Sequence, residues 1–529
     1  MGLYLNPTND LFVEAVSSEI YVDKTGLIRY TNRVLRTQQK YICVSRPRRF
    51  GKSMTAQMLS AYYSRGTDSE RIFERLSIGT DESFRKYLNK FDVISINIQE
   101  FLSRTNSMDG LIARLKKRLL HELLACYPGD YFDKDDLAET MAEIYAKSSR
   151  PFVIIIDEWD CIFREFKDNH DAQDAYLDFL RDWLKDKAYV GLSYMTGILP
   201  IKKYGTHSAL NMFNEFSMTN PGVLADFVGF TEKEVCSLCD TYHRDIHLMK
   251  QWYDGYRLAE GISIYNPRSV VAAMSSGIFD TYWNKTESFE ALRIYLDMDM
   301  DGLKDKIISL LSGVAQKVDT RTFVNDMTTF AKADDVLTLM IHLGYLAYDF
   351  EREEVFIPNQ EIQREYVSAI SVGGWEIIYQ SIEKSFSLLQ NVWLGEEDKV
   401  AKGVESAHFE TSQLQYNDEN ALSYTVSLAF YAARQYYKLI RELPAGKGFA
   451  DMVFIPRHRY ADKPAIIVEL KWAHDADTAI AQVLQKKYPQ ALQNYAGEIL
   501  LVGISYDKTT KIHQCRISKI NKDSNPLDI

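Results

Sequence analysis

The sequence predicts an α/β protein with two sheet-containing regions, one in each half of the chain. In the first half, residues 41–44 and 152–156 are continuous apolar runs, and such runs are typical of parallel strands that are buried on both faces. In the second half, apolar stretches at 452–455 and 465–468 flank a polar turn and predict adjacent strands. A chain of 529 residues is long enough for several domains.

A basic, glycine-containing loop follows the first apolar run and precedes a helical stretch. The loop ends in Gly51-Lys52-Ser53, and a strand, a tight loop and a helix in this order cradle nucleotide phosphates, because backbone N–H groups point at the ligand. Lys52 would reach the β- and γ-phosphates, and the Ser53 hydroxyl would hold Mg²⁺. Arg46, which replaces the first glycine of the general pattern, and Arg49 are further candidates for nucleotide contacts. The alternative is a basic turn before a helix.

Two carboxylates end the apolar run at 152–156 and supply the second half of this site. Asp157 would support Mg²⁺, and Glu158 would orient or deprotonate the attacking water. A further predicted strand ends near Thr196, which is a candidate sensor of the γ-phosphate. The alternative for the two acids is a core strand whose carboxylates are simply solvated at its end. With Lys52 upstream, we expect ATP and Mg²⁺ as ligands.

Four motifs together resemble a known family. They are Tyr21-Val-Asp-Lys-Thr25, Arg46-Pro-Arg-Arg-Phe-Gly-Lys-Ser53, Asp157-Glu158 and Tyr265-Asn-Pro267. The chain is similar over nearly its whole length to bacterial AAA-ATPase-like proteins that carry a C-terminal PD-(D/E)XK nuclease-like domain. In that family the arginine-rich form of the phosphate loop is itself typical. The resemblance implies ATP binding and a restriction-endonuclease-like fold at the C-terminus, and it does not supply a substrate.

The C-terminal strands carry a candidate metal site of their own. Asp451 leads into the first strand, and Glu469 and Lys471 lie two residues apart on the second, where alternation makes them face the same way. Two carboxylates can bind Mg²⁺ through oxygen ligands, and the lysine would position water or stabilise charge on a phosphate. This is the constellation of a metal-dependent phosphodiesterase. The alternative is a pair of solvated charges on a strand.

Two residues at the margin of this site follow the pattern of the same family. Glu419, at the start of a helical stretch, is a candidate helix carboxylate that completes the metal site, although the helix dipole favours an acid there in any case. Gln482 lies on a later helical segment and is a candidate to face the site, with a core or surface role as the alternative.

The net charge and the cysteines limit the partners that the sequence predicts. A formal net charge of −11 is wrong for a general nucleic-acid coat, but a nuclease needs only a local basic cleft. Such local charge is offered near the site by Arg441, Lys447, Arg457, His458 and Arg459. Cys236, Cys239, His243 and His247 follow the order of zinc ligands, but they would be spread along one helix that starts at Thr231, too far apart for a tetrahedral ion.

The predicted fold is a P-loop NTPase core with a parallel sheet, a helical lid, a winged-helix-like middle region and a restriction-endonuclease-like α/β domain. The expected segments are 1–226 (ATPase core), 227–290 (lid), 291–392 (winged-helix-like region), 393–415 (linker) and 416–529 (nuclease-like domain). No apolar stretch approaches the ~20 residues of a membrane span, and no secretory signal is visible. Six scattered cysteines indicate a reducing cytoplasm.

Two functions follow from these features. The first is an ATPase coupled to a Mg²⁺-dependent nuclease that acts on nucleic acid, with foreign or mobile-element DNA favoured over RNA as the substrate. The second is an ATP-driven switch whose nuclease-like fold only binds nucleic acid or a protein partner. Retention of Asp451, Glu469 and Lys471 favours the first, because a degenerate site need not keep all three. The sequence offers no convincing arginine for a neighbouring subunit, so we expect a monomer or a dimer at rest, and Arg268 is a candidate sensor within the chain.

Overall fold

The computed structural model of the protein describes the chain apart from a set of mostly short segments. The segments outside the description are residues 1, 106, 202–209, 259–260, 284–289, 299, 301, 325–326, 372–374, 413–425, 446–447, 473–475, 477–479, 482–491, 493–494, 496, 508–509, 511 and 521–529. The chain divides into two units. The first consists of Met1–Lys304 and Ala315–Glu365, and the second of Asp305–Val314 and Tyr366–Ile529.

The strands fall into four sheets. In chain order they are β1 (Tyr41–Ser45), β2 (Asp92–Asn97), β3 (Phe152–Asp157), β4 (Val190–Gly197), β5 (Asn214–Phe216), β6 (Phe230–Thr231), β7 (Tyr256–Arg257), β8 (Ser263–Tyr265), β9 (Gln316–Lys317), β10 (Ala347–Asp349), β11 (Glu354–Phe356), β12 (Tyr437–Ala445), β13 (Gly448–Pro456), β14 (Ala465–Trp472), β15 (Ile499–Asp507) and β16 (Ile512–Ile520).

Helices cover these sheets and fill the middle of the chain. They are α1 (Asp10–Val16), α2 (Gly26–Val34), α3 (Lys52–Tyr63), α4 (Glu70–Phe73), α5 (Phe84–Tyr87), α6 (Ile98–Leu102), α7 (Met108–Cys126), α8 (Leu137–Ser148), α9 (Cys161–Glu165), α10 (His170–Leu184), α11 (Glu232–Tyr242), α12 (Ile246–Tyr253), α13 (Pro267–Ser276), α14 (Glu290–Leu296), α15 (Leu303–Leu311), α16 (Ala333–Leu343), α17 (Gln360–Ile370), α18 (Glu376–Leu394), α19 (Glu397–Ser412) and α20 (Ala433–Tyr436).

The main sheet of the first unit is parallel throughout, with the strand order β2-β3-β4-β1-β5. The strands predicted from the apolar runs at 41–44 and 152–156 are confirmed as β1 and β3, and the strand predicted to end near Thr196 is confirmed as β4. β1, β3 and β4 are buried along their whole length, which is why their sequences are continuously apolar. β5 was not predicted, since it has three partly exposed residues and no apolar run. Parallel strands end at a common edge, so the residues that follow β1, β2, β3 and β4 meet there.

A helical segment follows the main sheet within the range 227–290, and its role as a lid stays a prediction. It consists of α11, α12 and α13 with the small sheet β6-β8-β7. The predicted N-cap is confirmed, because the Thr231 hydroxyl accepts from the backbone of Glu234 and the Glu234 carboxylate accepts from the backbone of Thr231. α11 ends before His243, whose φ of 52° is left-handed. The predicted cysteine–histidine set therefore does not share one helix.

The winged-helix-like order of elements is present in the middle of the chain. α16, the β10–β11 hairpin and α17 follow one another as expected, and β9 pairs with β11. Nearly every residue of α16 is buried, so this helix has no free face to place in a DNA groove. The expected segment 291–392 is not one unit, because Asp305–Val314 and the chain from Tyr366 onwards belong to the second unit.

The second unit is built on a mixed sheet in the order β12-β13-β14-β15-β16. Only the β14–β15 pair is parallel. The expected linker at 393–415 is instead largely the helix α19, and its Val400 and Val404 are fully buried in the same core as Val468 and Ile504 of the sheet. These valines lie four residues apart on one helix face, a pattern that the surrounding charges obscure in the sequence.

Candidate nucleotide and nuclease sites

The loop after β1 has the backbone conformation of a phosphate cradle. Gly51 is the N-cap of α3 and has a left-handed φ of 92°, which glycine adopts without strain. Arg49 is left-handed as well, with a φ of 68°. The loop therefore turns sharply and presents the N-terminus of α3, which begins at Lys52. Backbone N–H groups at a helix N-terminus attract anions.

Lys52 is held inside the loop. Its side chain is buried, and Nζ donates to the carbonyl oxygen of Pro47 at 2.9 Å. Burial lowers the pKa of the ammonium group, while the nearby carboxylates of Glu158, Asp160 and Asp157 act in the opposite direction. The cation is thus compensated by acids at the edge of the sheet, and it is placed where a phosphate could replace the Pro47 carbonyl as its partner.

The Ser53 hydroxyl lies near Asp157, close enough to lower the pKa of that carboxyl group. Asp157 is nearly buried at the end of β3, and Asn97 Nδ2 at the end of β2 donates to its Oδ2 at 3.2 Å. Burial raises the pKa of Asp157 to about 6, and the nearby Ser53 hydroxyl opposes that shift. A hydroxyl beside a carboxylate is a donor set that fits Mg²⁺, which favours oxygen ligands.

Glu158 has an unusual backbone and a partner that the sequence did not suggest. Its φ is 53°, a conformation that is uncommon outside glycine and is found at functional sites. Its carboxylate Oε2 accepts a hydrogen bond from Arg164 Nη2 on α9. Arg164 was missed because one arginine among many gives no signal in the sequence. Only its place on the helix that follows the two acids could have drawn attention to it.

A cavity of about 1260 Å³ lies over the phosphate loop. Its lining includes a charged group, which consists of Arg48, Arg49, Lys52, Glu158, Arg164 and Arg268. It also includes an apolar and aromatic group, which consists of Ile20, Tyr21, Val22, Met58, Phe227 and Phe230. Ser53 belongs to the lining, whereas Asp157 does not.

Two predicted nucleotide contacts do not reach this cavity. Arg46 is fully buried, and its Nη1 donates to the carbonyl oxygens of Ser45 at 2.9 Å and Phe216 at 3.1 Å, so it ties β1 to β5. Burial lowers the pKa of its guanidinium to about 10. Thr196 is also fully buried, and its hydroxyl donates to the carbonyl oxygen of Val44 at 3.0 Å. Neither residue lines the cavity, so their predicted contacts with nucleotide have no support in this geometry.

The motif at residues 21–25 connects the cavity wall to the lid. Asp23 Oδ1 accepts from the backbone and the hydroxyl of Thr25 at 2.8 and 2.6 Å. Lys24 Nζ pairs with Glu234 at 2.6 Å and donates to the carbonyl oxygen of Asp226 at 2.7 Å. The motif is thus tied to α11 through the Lys24–Glu234 ion pair. It has a structural role that its sequence alone did not reveal.

The motif at residues 265–267 presents Arg268 to the cavity. The Asn266 side chain caps α13 by accepting from the backbone of Arg268 at 2.9 Å and of Ser269 at 3.4 Å. Pro267 occupies the first turn, where its missing N–H costs nothing. Arg268 therefore lies in the first turn of a well-capped helix and lines the cavity, and its role as a sensor stays a prediction.

In the second unit, Glu469 and Lys471 are ion-paired on β14. Lys471 Nζ lies 3.2 Å from Glu469 Oε1, and the glutamate is 2% exposed. Asp451 lies on β13 and directly precedes Met452, which pairs with Val468 on β14. Because the two strands are antiparallel and Glu469 directly follows Val468, the backbones of Asp451 and Glu469 are neighbours across the strands. The side chain of Asp451 is outside the described part of the chain, as are Glu419 and Gln482. Where the structure is described, no three acids, histidines or cysteines are grouped for a metal.

The basic residues expected near this site are only partly described. His458 and Arg459 are exposed on a short turn after β13. Arg457 is half-buried, and its Nε donates to the carbonyl oxygen of Arg434 at 3.3 Å. The side chain of Arg441 and the whole of Lys447 are outside the described residues. Two exposed basic groups therefore remain as candidates for contacts with a nucleic acid.

Two family profiles match the chain, one in each unit. Residues 14–206 match the family described as "Predicted AAA-ATPase", and residues 418–515 match the PD-(D/E)XK nuclease superfamily. The first match contains the phosphate loop, Asp157 and Glu158. The second contains Glu469 and Lys471.

Similar proteins add little beyond these matches. A protein of Azotobacter chroococcum mcd 1, named "Uncharacterized protein in vnfD 5'region", is 24% identical over 274 residues, which are 50% of this chain and 50% of the relative. The chain therefore matches about half the length of this curated relative.

No helix in the described part of the chain is long and apolar enough to cross a membrane.

Two solved structures are similar over much of their own length. The match to Cdc6p from Pyrobaculum aerophilum covers 68% of this chain and 97% of the Cdc6p chain, with 10% sequence identity and a TM-score of 0.25. The match to the ORC2 protein of Aeropyrum pernix covers 67% of this chain and 96% of the ORC2 chain, with 9% sequence identity and a TM-score of 0.32. Both scores are too low to establish a shared fold. By these two matches, the chain contains an AAA-ATPase-like region at residues 14–206 and a PD-(D/E)XK nuclease superfamily region at residues 418–515.

Proposed function

We propose that the protein binds and hydrolyses ATP in the cavity of its first unit. The observation that carries this proposal is the buried Lys52 with the carboxylates of Glu158 and Asp157 near it, at the edge of a parallel sheet and beside a cavity of about 1260 Å³ that Lys52, Ser53 and Glu158 line. The same edge is where parallel α/β sheets bind their ligands. Aromatic and aliphatic residues in the lining supply the surface that a nucleobase needs.

Each residue has a separate task in this proposal. Lys52 exchanges the Pro47 carbonyl for a phosphate oxygen. Ser53 and Asp157 would hold Mg²⁺, which when bound neutralises charge on the phosphate oxygens. Glu158 orients the attacking water and accepts its proton. Arg49 and Arg268 add positive charge to the wall of the cavity.

The C-terminal domain is proposed to be a Mg²⁺-dependent phosphodiesterase that acts on nucleic acid. Support comes from Glu469 and Lys471 on one strand and from the position of Asp451 on the neighbouring strand. A buried carboxylate and a lysine beside it suit the hydrolysis of a phosphodiester, because charge must be neutralised where water attacks. DNA, from foreign or mobile elements, is the substrate to test first. All six cysteines are free, which supports a reducing compartment such as the cytoplasm.

One observation favours the alternative of a switch without cutting activity. The Glu469 carboxylate is nearly buried and already pairs with Lys471, so a metal would have to compete with that cation. In this alternative the nuclease-like fold only binds nucleic acid or a protein partner, and ATP controls the binding.

A single experiment separates these functions. Purified protein is incubated with linear, circular and single-stranded DNA and with matched RNA, in Mg²⁺ with or without ATP, and both phosphate release and cutting are measured. We expect ATP hydrolysis to be lost in Lys52→Ala through weaker binding and in Glu158→Gln with binding retained. The exposed Lys117→Ala on α7 is the control and should behave as the parent protein. Unchanged hydrolysis in both site variants would disprove the ATPase assignment, and binding without cutting would favour the switch.

A further inference from the structure

Arg164 occupies a position between the nucleotide cavity and the acids at the end of β3. It lies on the short helix α9 and lines the cavity, yet its side chain is only 11% exposed. One end of its guanidinium, Nη2, donates to Glu158 Oε2. The other end is held more loosely, because Nε lies 3.6 Å from Asp160 Oδ2 and has no hydrogen-bond partner among the residues that the structure describes.

Asp160 fixes the inner end of this arrangement. It is fully buried, and its Oδ2 accepts from the backbone of Ile198 at 3.1 Å and of Leu199 at 2.9 Å, just after β4. A Cβ at Gly197 would lie 2.3 Å from Asp160 Oδ1, so glycine is required there for the close approach. Asp160, which holds the inner end of Arg164, is therefore rigid, whereas the contact between Arg164 and Glu158 lies at the cavity.

The charges around Arg164 keep it cationic and place it among phosphate-binding groups. Burial alone would lower its pKa, but the carboxylates of Asp160 and Glu158 raise the pKa overall. Lys52 and Arg48 are close enough to interact with the same guanidinium. An anion that enters next to Lys52 would thus attract Arg164 as well, and it would compete with Glu158 for the same nitrogen atoms.

We propose that Arg164 is a positioning residue that holds Glu158 while the site lacks a γ-phosphate and transfers its hydrogen bond to that phosphate when ATP binds. The transfer frees the Glu158 carboxylate to act on water. ADP lacks the γ-phosphate and leaves the Arg164–Glu158 pair intact. The inference rests on the proposed ATPase function and goes beyond it, because it assigns the discrimination between ATP and ADP to one residue of the same chain.

Binding measurements with a non-hydrolysable ATP analogue and with ADP test this role. In Glu158→Gln the competing charge is gone, so the analogue should bind about tenfold more tightly while ADP binds as before, since a hydrogen bond between charged groups has an effect of this size. In Arg164→Ala the analogue should bind about tenfold more weakly, again with ADP unchanged. In the double variant the gain from Glu158→Gln should disappear, and Arg164→Lys should restore part of the affinity for the analogue.

A control and two contrary outcomes complete the design. Arg181→Ala removes an exposed arginine that pairs with Asp178 at 2.9 Å on α10, and it should change neither affinity. If Arg164→Ala weakens the analogue and ADP by the same factor, the residue only supports the fold and the inference is overturned. If the parent protein and Lys52→Ala bind neither nucleotide, the ATPase function itself has failed, and the inference falls with it.

Discussion

Arg49 of the phosphate loop donates a hydrogen bond to the carbonyl oxygen of Tyr282, 2.6 Å away and 233 residues later in the chain. The neighbouring Phe50 packs edge-on against Tyr256 at 5.3 Å and against Trp283 at 6.3 Å between ring centroids. Two residues of the loop thus contact the helical segment after the main sheet, at Tyr256 on β7 and at Tyr282 and Trp283 after α13. The arginine-rich form of the loop therefore serves intramolecular contacts.

Replacing Phe50 should show how much the aromatic contact contributes. Phe50 is 1% exposed, so Phe50→Ala removes a buried ring and leaves a cavity, which typically costs about 3–5 kcal/mol. We expect a lower free energy of unfolding by roughly this amount in a denaturant titration. Phe132→Ala is the matched control, because that ring is 89% exposed and its loss should change stability little. Equal effects of the two variants would show that the ring contact does not stabilise the fold.

The buried carboxylate of Glu361 should make stability depend on pH. Glu361 accepts hydrogen bonds from the backbone of Tyr282 at 2.6 Å and of Trp283 at 2.8 Å, and burial raises its pKa to about 7. The native state therefore binds the proton more tightly than the unfolded state. The stability that protonated Glu361 contributes to the fold is lost as pH rises from about 4.5 to about 7. The loss is at most roughly 3 kcal/mol.

The Glu361→Gln variant isolates this contribution. The amide cannot ionise and has nearly the same shape, so the variant should gain stability relative to the parent protein as pH rises through that range. Chemical unfolding at pH 5 and pH 8 measures the difference, with the exposed Glu351→Gln as control. Asp157 also has a raised pKa and affects both proteins equally. A constant difference between variant and parent at the two pH values would contradict the assignment.

Magnesium binding with nucleotide should follow the ionisation of Asp157. Its pKa is raised to about 6, and a metal ligand must be deprotonated. The affinity for Mg²⁺ in the presence of the ATP analogue should therefore rise about tenfold between pH 5 and pH 7, as the ionised fraction does. Asp157→Asn should bind Mg²⁺ weakly at both pH values. Asp178→Asn on the exposed face of α10 should retain the dependence, and a flat profile in the parent protein would exclude Asp157 as a ligand.

The sequence predicted the parts of the site that have local signatures. Continuous apolar runs identified β1 and β3, and the residues after them placed Lys52, Ser53 and Asp157 together, as the structure does. These predictions succeed because buried parallel strands need apolar residues at every position.

The failures have a common physical cause, which is that side-chain direction depends on tertiary packing. Arg46 follows a strand and turns inward to β5 instead of outward to a ligand. Thr196 satisfies its hydroxyl on the adjacent strand. Arg164 becomes part of the site only because α9 packs below the cavity. The valines of α19 were hidden among charges, and that segment proved to be part of a core instead of a linker.

The last prediction is that the two chemical centres can be inactivated separately. Glu469→Gln removes a carboxylate and Lys471→Ala removes its cation, and each should lower the rate of DNA cutting at least about a hundredfold, because charge stabilisation at the phosphate is lost. Asp451→Ala should do the same. ATP hydrolysis should remain near the parent rate in all three, since Lys52 and Glu158 belong to the other unit.

A matched ion pair in the same domain provides the control for these variants. Glu498 and Lys519 pair at 3.3 Å, close to the 3.2 Å of Glu469 and Lys471, but they lie near the surface. Glu498→Gln should therefore cut DNA as fast as the parent protein. Lys52→Ala should keep the metal site and lose only the cutting that ATP stimulates. If Glu469→Gln cuts as well as Glu498→Gln does, the nuclease activity lies elsewhere, and the C-terminal domain is better explained as a binding module under the control of ATP.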